Sequence, residues 1–244
     1  SANAVTFKGL SGMNSDRSYG LDKRVYNESM FGVIATSTGF AGNVGITRQA
    51  TIDASVEGVR GMVKTPKTKD INTLNSLSIH EALNPGCTVH DDPIRVSMGF
   101  IQSTKHSMRI KKACPNLVST GMDEAMPYLT SDLFSATFKG KKGRVIECND
   151  RCIIYQDDDT KETSYINLSE QTMKNSDGGF YVTLKLNSAV KKGQILHNND
   201  ILAYDESCYK KPIGLEKNSK NISYAIGAMC KIGIMYTDEG FEDS

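Results

Sequence analysis

Tryptophan is absent from this chain, proline occurs only 6 times in 244 residues, and neither sign of charge is in excess. Lys and Arg total 29 against 28 Asp and Glu, a formal net charge of +1. A free-standing nucleic-acid binder usually carries a basic excess. Any contact with nucleic acid must therefore come from local clusters, or from a groove shared with other subunits. No stretch approaches the roughly 20 consecutive apolar residues that a membrane span requires. The opening Ser1-Ala2-Asn3-Ala4 has no basic segment followed by an apolar run, so it does not read as a signal peptide. The expectation is a soluble, cytoplasmic protein with no membrane partner.

Other chemistries lack their residues as well. Six cysteines, at 87, 114, 148, 152, 208 and 230, show no framework spacing and read as free thiols in a reducing compartment. The four histidines, at 80, 90, 106 and 197, do not pair with Cys148 and Cys152 at zinc-finger spacing. There is no Gly-x-Ser-x-Gly elbow and no Cys-His signature, so hydrolase triads have no support. The glycine-bearing loop Ser37 to Gly45 is not followed by a Walker Gly-Lys-Ser/Thr, which leaves nucleotide binding by that loop alone unsupported.

What is present is glycine, 21 residues of it, and enough apolar sequence for a real core. The first sixty residues read as irregular, with loop chemistry from Gly9 to Arg17 and a short helix expected over 47–61, ending at Gly58 or Gly61. Leu74 to Leu83 suits a helix or mixed turn, stopped by Asn84-Pro85-Gly86. Asp91-Asp92-Pro93 offers a cap and a proline for the first turn of a helix. Behind it Ile94, Met98 and Ile101 form an apolar stripe, while Arg95 and Gly99 share another face. An arginine beside a side-chain-free glycine is either simply solvated or able to meet a phosphate closely. Lys105 to Lys112 is the densest basic run, either a wet helix face or a backbone-contacting patch. From about residue 132 the pattern turns to strands, with Phe138 to Arg144 as a basic, glycine-bearing turn. Arg151–Tyr155 and Tyr181–Leu186 read as strands, and Asp157-Asp158-Asp159 as a turn. Finally, Tyr224, Ile226, Ala228, Cys230, Ile232, Ile234 and Tyr236 alternate at period two, predicting one clean strand of a small barrel. The acids Asp238, Glu239, Glu242 and Asp243 behind it are either solvated or able to hold a hard cation.

Several separated stretches, read in order, resemble the β subunit of multisubunit DNA-directed RNA polymerase. Val89-His90-Asp91-Asp92-Pro93-Ile94-Arg95-Val96-Ser97-Met98-Gly99 is similar to the family's His-Asp-Asp-x-x-Arg-x-x-Met-Gly helix. Leu117-Val118-Ser119-Thr120-Gly121-Met122-Asp123 is similar to its Leu-Val-x-Thr-Gly-Met-Glu motif. Lys191 to Leu196 resembles the turn before the family's barrel strand, and Ile222 to Ser244 resembles that strand running into Phe/Tyr-Glu-Asp-Ser/Ala. More weakly, Leu10 to Arg17 resembles the fork-loop region, and Gly39 to Gly45 the Pro-Glu-Gly-Pro-Asn-Ile-Gly segment. Together they run from about residue 9 to 244.

The resemblance implies roles. Arg95 would face the incoming nucleotide's triphosphate, and Glu242 and Asp243 the second Mg²⁺, through water. Asn43 would lie near the RNA 3′ end and Arg17 beside the entering template base. Lys105, Arg109 and Lys111 of the basic run, with the 139–144 loop, would lie near the nucleic-acid backbone. The main Mg²⁺ site would belong to a β′-type partner, because no Asp-x-Asp-x-Asp motif occurs here. The chain departs from the family at Gly39 and Phe40, where proline and glutamate are usual, and at Gln102 to His106. Lys105 there replaces a glutamine, which puts rifamycin binding and the detailed RNA contacts in doubt. That divergence is similar to the split β subunits of giant tailed phages.

The fold expected is α+β and β-rich: a fork-like portion over 1–88, then a hybrid-binding portion over 89–244. The latter would supply part of a barrel completed by sequence outside this chain, the chain being a piece of a longer functional unit. The function implied is one wall of an RNA polymerase active site, inactive alone, with a β′-type subunit, DNA template, RNA–DNA hybrid and nucleoside triphosphates as partners. The alternative is a non-catalytic nucleic-acid-binding or subunit-docking module.

Overall fold

The computed structural model describes residues 4–6, 24–38, 44–64, 72–86, 110, 112–129, 133–174, 181–214, 220–225 and 227–235. Their structure is rich in β-strands with few helices. The chain divides into two compact units, one comprising Ser1–Met108, Val118–Met126 and Lys174–Tyr181, the other Arg109–Leu117, Pro127–Met173 and Val182–Ser244. The expected 88/89 boundary lies outside the described residues.

In the first unit, β1 (Ala4–Thr6), β2 (Ile34–Thr38) and β3 (Thr47–Ala50) form an antiparallel sheet in the order β1-β3-β2. The helix expected over 47–61 is not formed. Residues 47–50 are instead the central strand, with Arg48 opposite both Val5 and Thr38. Pairing on two sides outweighs a weak local helical preference. The glycines expected to stop that helix instead turn a hairpin, β4 (Val56–Glu57) to β5 (Met62–Val63). Gly58 and Gly61 both have positive φ, and the Gly61 N–H donates to the Gly58 carbonyl at 3.2 Å.

The Leu74–Leu83 expectation holds. A 3₁₀ turn at Thr73–Ser76 leads into α1 (Ile79–Leu83), whose N-terminus is closed by a capping box. The Ser78 N–H donates to Glu81 Oε2 at 2.7 Å, and the Glu81 N–H to Ser78 Oγ at 3.3 Å. Such a cap contributes about 1 kcal/mol, enough to matter in a five-residue helix. Asn84 ends it, its N–H donating to the Glu81 carbonyl. The helix start at Asp91–Pro93 lies outside the described residues.

The Leu117–Ala125 motif sets up α2 (Met122–Leu129). The Gly121 N–H donates to Ser119 Oγ at 3.1 Å and the Met122 N–H to Thr120 Oγ1 at 3.3 Å. Ser119 Oγ in turn donates to the buried Asp123 carboxylate at 2.7 Å. Its polar residues thus satisfy the orphan groups of a helix N-terminus.

The second unit is built on two antiparallel sheets. One contains β6 (Ser135–Thr137), β12 (Asn187–Ser188) and β14 (Ile201–Tyr204) in the order β12-β14-β6. The other contains β7 (Lys142–Cys148), β8 (Cys152–Asp157), β9 (Thr163–Asn167) and β13 (Ile195–His197) in the order β13-β7-β8-β9. Phe138, Val145, Ile153, Leu196 and Leu202 form the fully buried centre. The Phe138 ring meets Tyr155 edge-on, with centroids 5.6 Å apart. A ribbon of β10 (Gln171–Lys174) with β11 (Tyr181–Leu184), and a pair of β15 (Tyr209–Lys210) with β16 (Ser223–Tyr224), complete the described strands. The strands expected at 151–155 and 181–186 are present as Cys152–Asp157 and Tyr181–Leu184, and the turn expected at 157–159 falls at 158–160, Asp157 ending the strand.

The last expectation fails in an informative way. The clean strand over 224–236 shrinks to Ser223–Tyr224 and a single bridge from Gly227 to Cys114. Beyond it Ile232, Ile234 and Met235 are 86%, 99% and 86% exposed, so no inner and outer face can be told apart. A strand needs a hydrogen-bonded neighbour, and among the described residues this segment has none past the bridge. No closed barrel occurs among the described residues, and none of the described helices is long and apolar enough to cross a membrane.

Candidate nucleic-acid interface

The residues singled out by sequence, Arg17, Asn43, Arg95, Lys105, Arg109, Lys111, Glu242 and Asp243, all lie outside the described residues. Of the basic run only Ile110 and Lys112 are described, both exposed. Among the described residues no three His, Cys, Asp or Glu side chains gather as a metal site. Cys114, Cys148, Cys152, Cys208 and Cys230 are unbridged. Cys148 Sγ lies 3.1 Å from Ser188 Oγ and 3.4 Å from the Val190 carbonyl, as a packed thiol does.

The part of the nucleic-acid reading that is described is the basic turn Phe138–Arg144. Its strand begins at Lys142, earlier than expected, so Lys142 and Arg144 belong to β7 itself. The glycines explain the shape. A Cβ on Gly143 would lie 2.6 Å from the Gln156 carbonyl oxygen and 2.7 Å from Phe138 Cζ. One on Gly140 would strike the Asp157 carboxylate, and would lie 2.6 Å from the same Phe138 atom. The turn therefore lies directly on the buried Phe138 ring, and Lys141, Lys142 and Arg144 are exposed.

Along β7 the alternation is regular: Lys142 exposed, Gly143 buried, Arg144 exposed, Val145 buried. A register shift between Val145 and Glu147 then leaves both Ile146 and Glu147 outward. The paired residues give the rest of this outer face. Arg144 is flanked by Ile195 on β13 and Gln156 on β8, and Gln156 by Thr163 on β9. Lys142 is flanked by His197. Ile154 lies between Glu147 and Tyr165. Tyr165 is 62% exposed, Ile195 46% and Ile146 44%.

Lys142 and Arg144 lie on β7, and Lys191 and Lys192 on the turn before β13. Together with Lys141 they make no ion pair among the described residues. Nearby, Asp200 lies 3.7 Å from His197 Nδ1 and 3.9 Å from Lys220 Nζ. The acids collect at the β8–β9 turn, where Asp157 Oδ1 accepts from the Asp159 and Thr160 N–H groups at 2.8 and 3.1 Å. Glu147 accepts from Asn149 Nδ2 at 2.9 Å. At the β9 edge a hollow of about 290 Å³ opens beside Tyr165, walled by Leu133, Leu184 and Leu186 and edged by Asn167, Ser169 and Gln171. Sequence reading found the lysines and Arg144 but missed Tyr165. Tyr165 is left exposed by its place on β9.

A second polar cluster, in the first unit, is structural. Buried Arg48 donates from Nη2 to the Arg24 carbonyl at 3.0 Å and places its guanidinium 5.1 Å from the Tyr26 ring centroid. Burial lowers the pKa of Arg48 from its ordinary value and raises that of Tyr26, whose rise Arg48 opposes and Glu81 adds to. Tyr26 Oη donates to the Ile34 carbonyl at 2.6 Å, tying this cluster to β2.

No protein-family model matches the chain, and no curated protein matches it.

Proposed function

We propose that this chain is a central part of a β-type subunit of a multisubunit DNA-dependent RNA polymerase, forming one wall of the active site. The observation that carries the reading is the order of the resembling stretches: the fork-like loops, the Arg95 helix, Leu117–Ala125, Lys191–Leu196 and the closing Gly240-Phe241-Glu242-Asp243-Ser244. Five such stretches in family order are not expected by chance. A β-rich structure with few helices accords with it.

On this reading Arg95 neutralises charge on the nucleotide triphosphate, and Arg17, Asn43, Lys105, Arg109 and Lys111 contact template, transcript or hybrid. Glu242 and Asp243 help orient the second ion. Mg²⁺, when bound, supplies the charge that stabilises the transferring phosphoryl group, with its main site on a β′-type subunit. The chain alone is then inactive. The test is co-purification of β′-type subunits with this chain, followed by nucleotide incorporation on a DNA template. Mg²⁺-dependent RNA synthesis that is lost in Glu242→Ala/Asp243→Ala supports the reading. A chain recovered alone, without synthesis, overturns it.

A second reading, a subunit-docking module, is favoured by one observation. The apolar side chains of Ile232, Ile234 and Met235 are left almost fully exposed, a pattern that marks interaction surfaces.

A further inference from the structure

We infer that the outer face of the β13-β7-β8-β9 sheet is a track for single-stranded nucleic acid, its backbone on β7 and its base at the β9 edge. The inference deepens the polymerase reading, which already brings the 139–144 turn near a nucleic-acid backbone, by adding Tyr165 and the β9 edge, to which that reading gives no role.

Two features converge. Lys142 and Arg144 are two residues apart on one face of one strand, about 7 Å, and neither makes an ion pair among the described residues. Two like charges held at that spacing match successive phosphates of an extended strand. The Gly140 and Gly143 contacts with Phe138 fix this turn on the core, so the cations are presented by a rigid element rather than a loose tail.

The second feature is Tyr165, 62% exposed on the same face. From the register it stands two strands and one row from Arg144, about 12 Å by standard sheet spacings. A solvent-facing ring on the same sheet face as a pair of cations offers a platform on which a base stacks without sequence preference. The hollow next to it is lined by Leu133, Leu184, Leu186 and, from the core side, Ala136 and Ile166, apolar surface for a planar ring, and by Asn167 and Gln171, which can meet polar edges.

Asp158 and Asp159 stand at the β8–β9 turn, beside the Lys142 end of β7, with the Asp158 N–H donating to the Lys142 carbonyl. An acidic protein segment would use the cations but would have no use for Tyr165 and the hollow. Single-stranded nucleic acid uses all three.

The experiment is fluorescence anisotropy of labelled U10 and dT10 with the full 244-residue chain, over a salt series. Wild type binds, with affinity falling as salt rises. Lys142→Gln/Arg144→Gln weakens binding at least tenfold and lowers the log–log salt slope by about 1.4, the loss of two phosphate contacts. Tyr165→Ala weakens it about tenfold without changing the slope, while Tyr165→Phe stays within about twofold. Circular dichroism of these surface variants should match wild type. The inference is overturned if wild type binds neither oligomer at low salt, or if the variants bind like wild type. Polyglutamate displacing U10 at equal charge concentration overturns it too, and points to an acidic protein. The polymerase reading is decided separately, by synthesis in the assembled complex.

Discussion

A methyl group at position 143 has no room. It would meet the Gln156 backbone oxygen and the ring of Phe138, which is itself held by Tyr155. Gly143→Ala is expected to destabilise the second unit by about 1–3 kcal/mol, the usual range for overpacking, read as a lower denaturation midpoint. An unchanged midpoint would mean that the ring turns aside freely. Gly45 is constrained differently. Its φ is +72°, its N–H donates to Thr38 Oγ1, and a Cβ would lie 2.5 Å from the Arg24 carbonyl oxygen. Gly45→Ala should therefore cost at least about 1 kcal/mol from backbone conformation alone. His80 gives a pH dependence. Burial holds its imidazole below the ordinary 6.5, so on acidification the unfolded chain takes up the proton first. The stability tied to neutral His80 is complete above about pH 6.5 and is lost as pH falls from there to the folded-state value. The acid-induced drop in urea midpoint should be smaller in His80→Gln than in wild type. An equal drop in both proteins assigns the effect to other groups.

Helix α1 is only five residues long, too short to persist by propensity, so its cap carries unusual weight. Ser78→Ala removes the acceptor for the Glu81 N–H and should cost about 1 kcal/mol. Loss of hydrogen-exchange protection confined to 79–84 would show the effect is local. Elements with strong local signals were readable from sequence. β7 and β8 carry β-branched and aromatic residues between glycine and aspartate turns, and α1 ends at Asn84-Pro85-Gly86. Elements decided by distant partners were not. Thr47–Ala50 became a central strand because β1 and β2 flank it, and no pattern within 47–61 announces that. Gly58 and Gly61 signalled a break correctly, yet a glycine that stops a helix looks the same as one that turns a hairpin. The reverse error occurred at 224–236, where flawless alternation promised a strand but alternation supplies no hydrogen-bonding partner.

At the scale of the whole molecule, the basic turn of the candidate interface was legible because lysine and glycine alternate locally, whereas the face it belongs to was not. That face is assembled from residues 142–165 and 195–197, and only the strand register brings Ile195 beside Arg144 and Tyr165 beside Ile154. The active-site reading rests on a different kind of signal, the order of short motifs, and Arg95 is its sharpest consequence. If Arg95 meets the triphosphate, its charge acts on the bound nucleotide and more strongly on the transition state, where phosphoryl charge is redistributed. Arg95→Ala in the assembled enzyme should then raise the nucleotide KM and lower kcat, with kcat/KM down at least tenfold, about 1.4 kcal/mol of transition-state stabilisation. Arg95→Lys should recover part of the loss, because it restores the charge but not the two-pronged geometry. The split between the two parameters separates this role from a structural one. A variant that merely assembles poorly lowers the amount of active enzyme at unchanged KM, and that result would remove Arg95 from the nucleotide site.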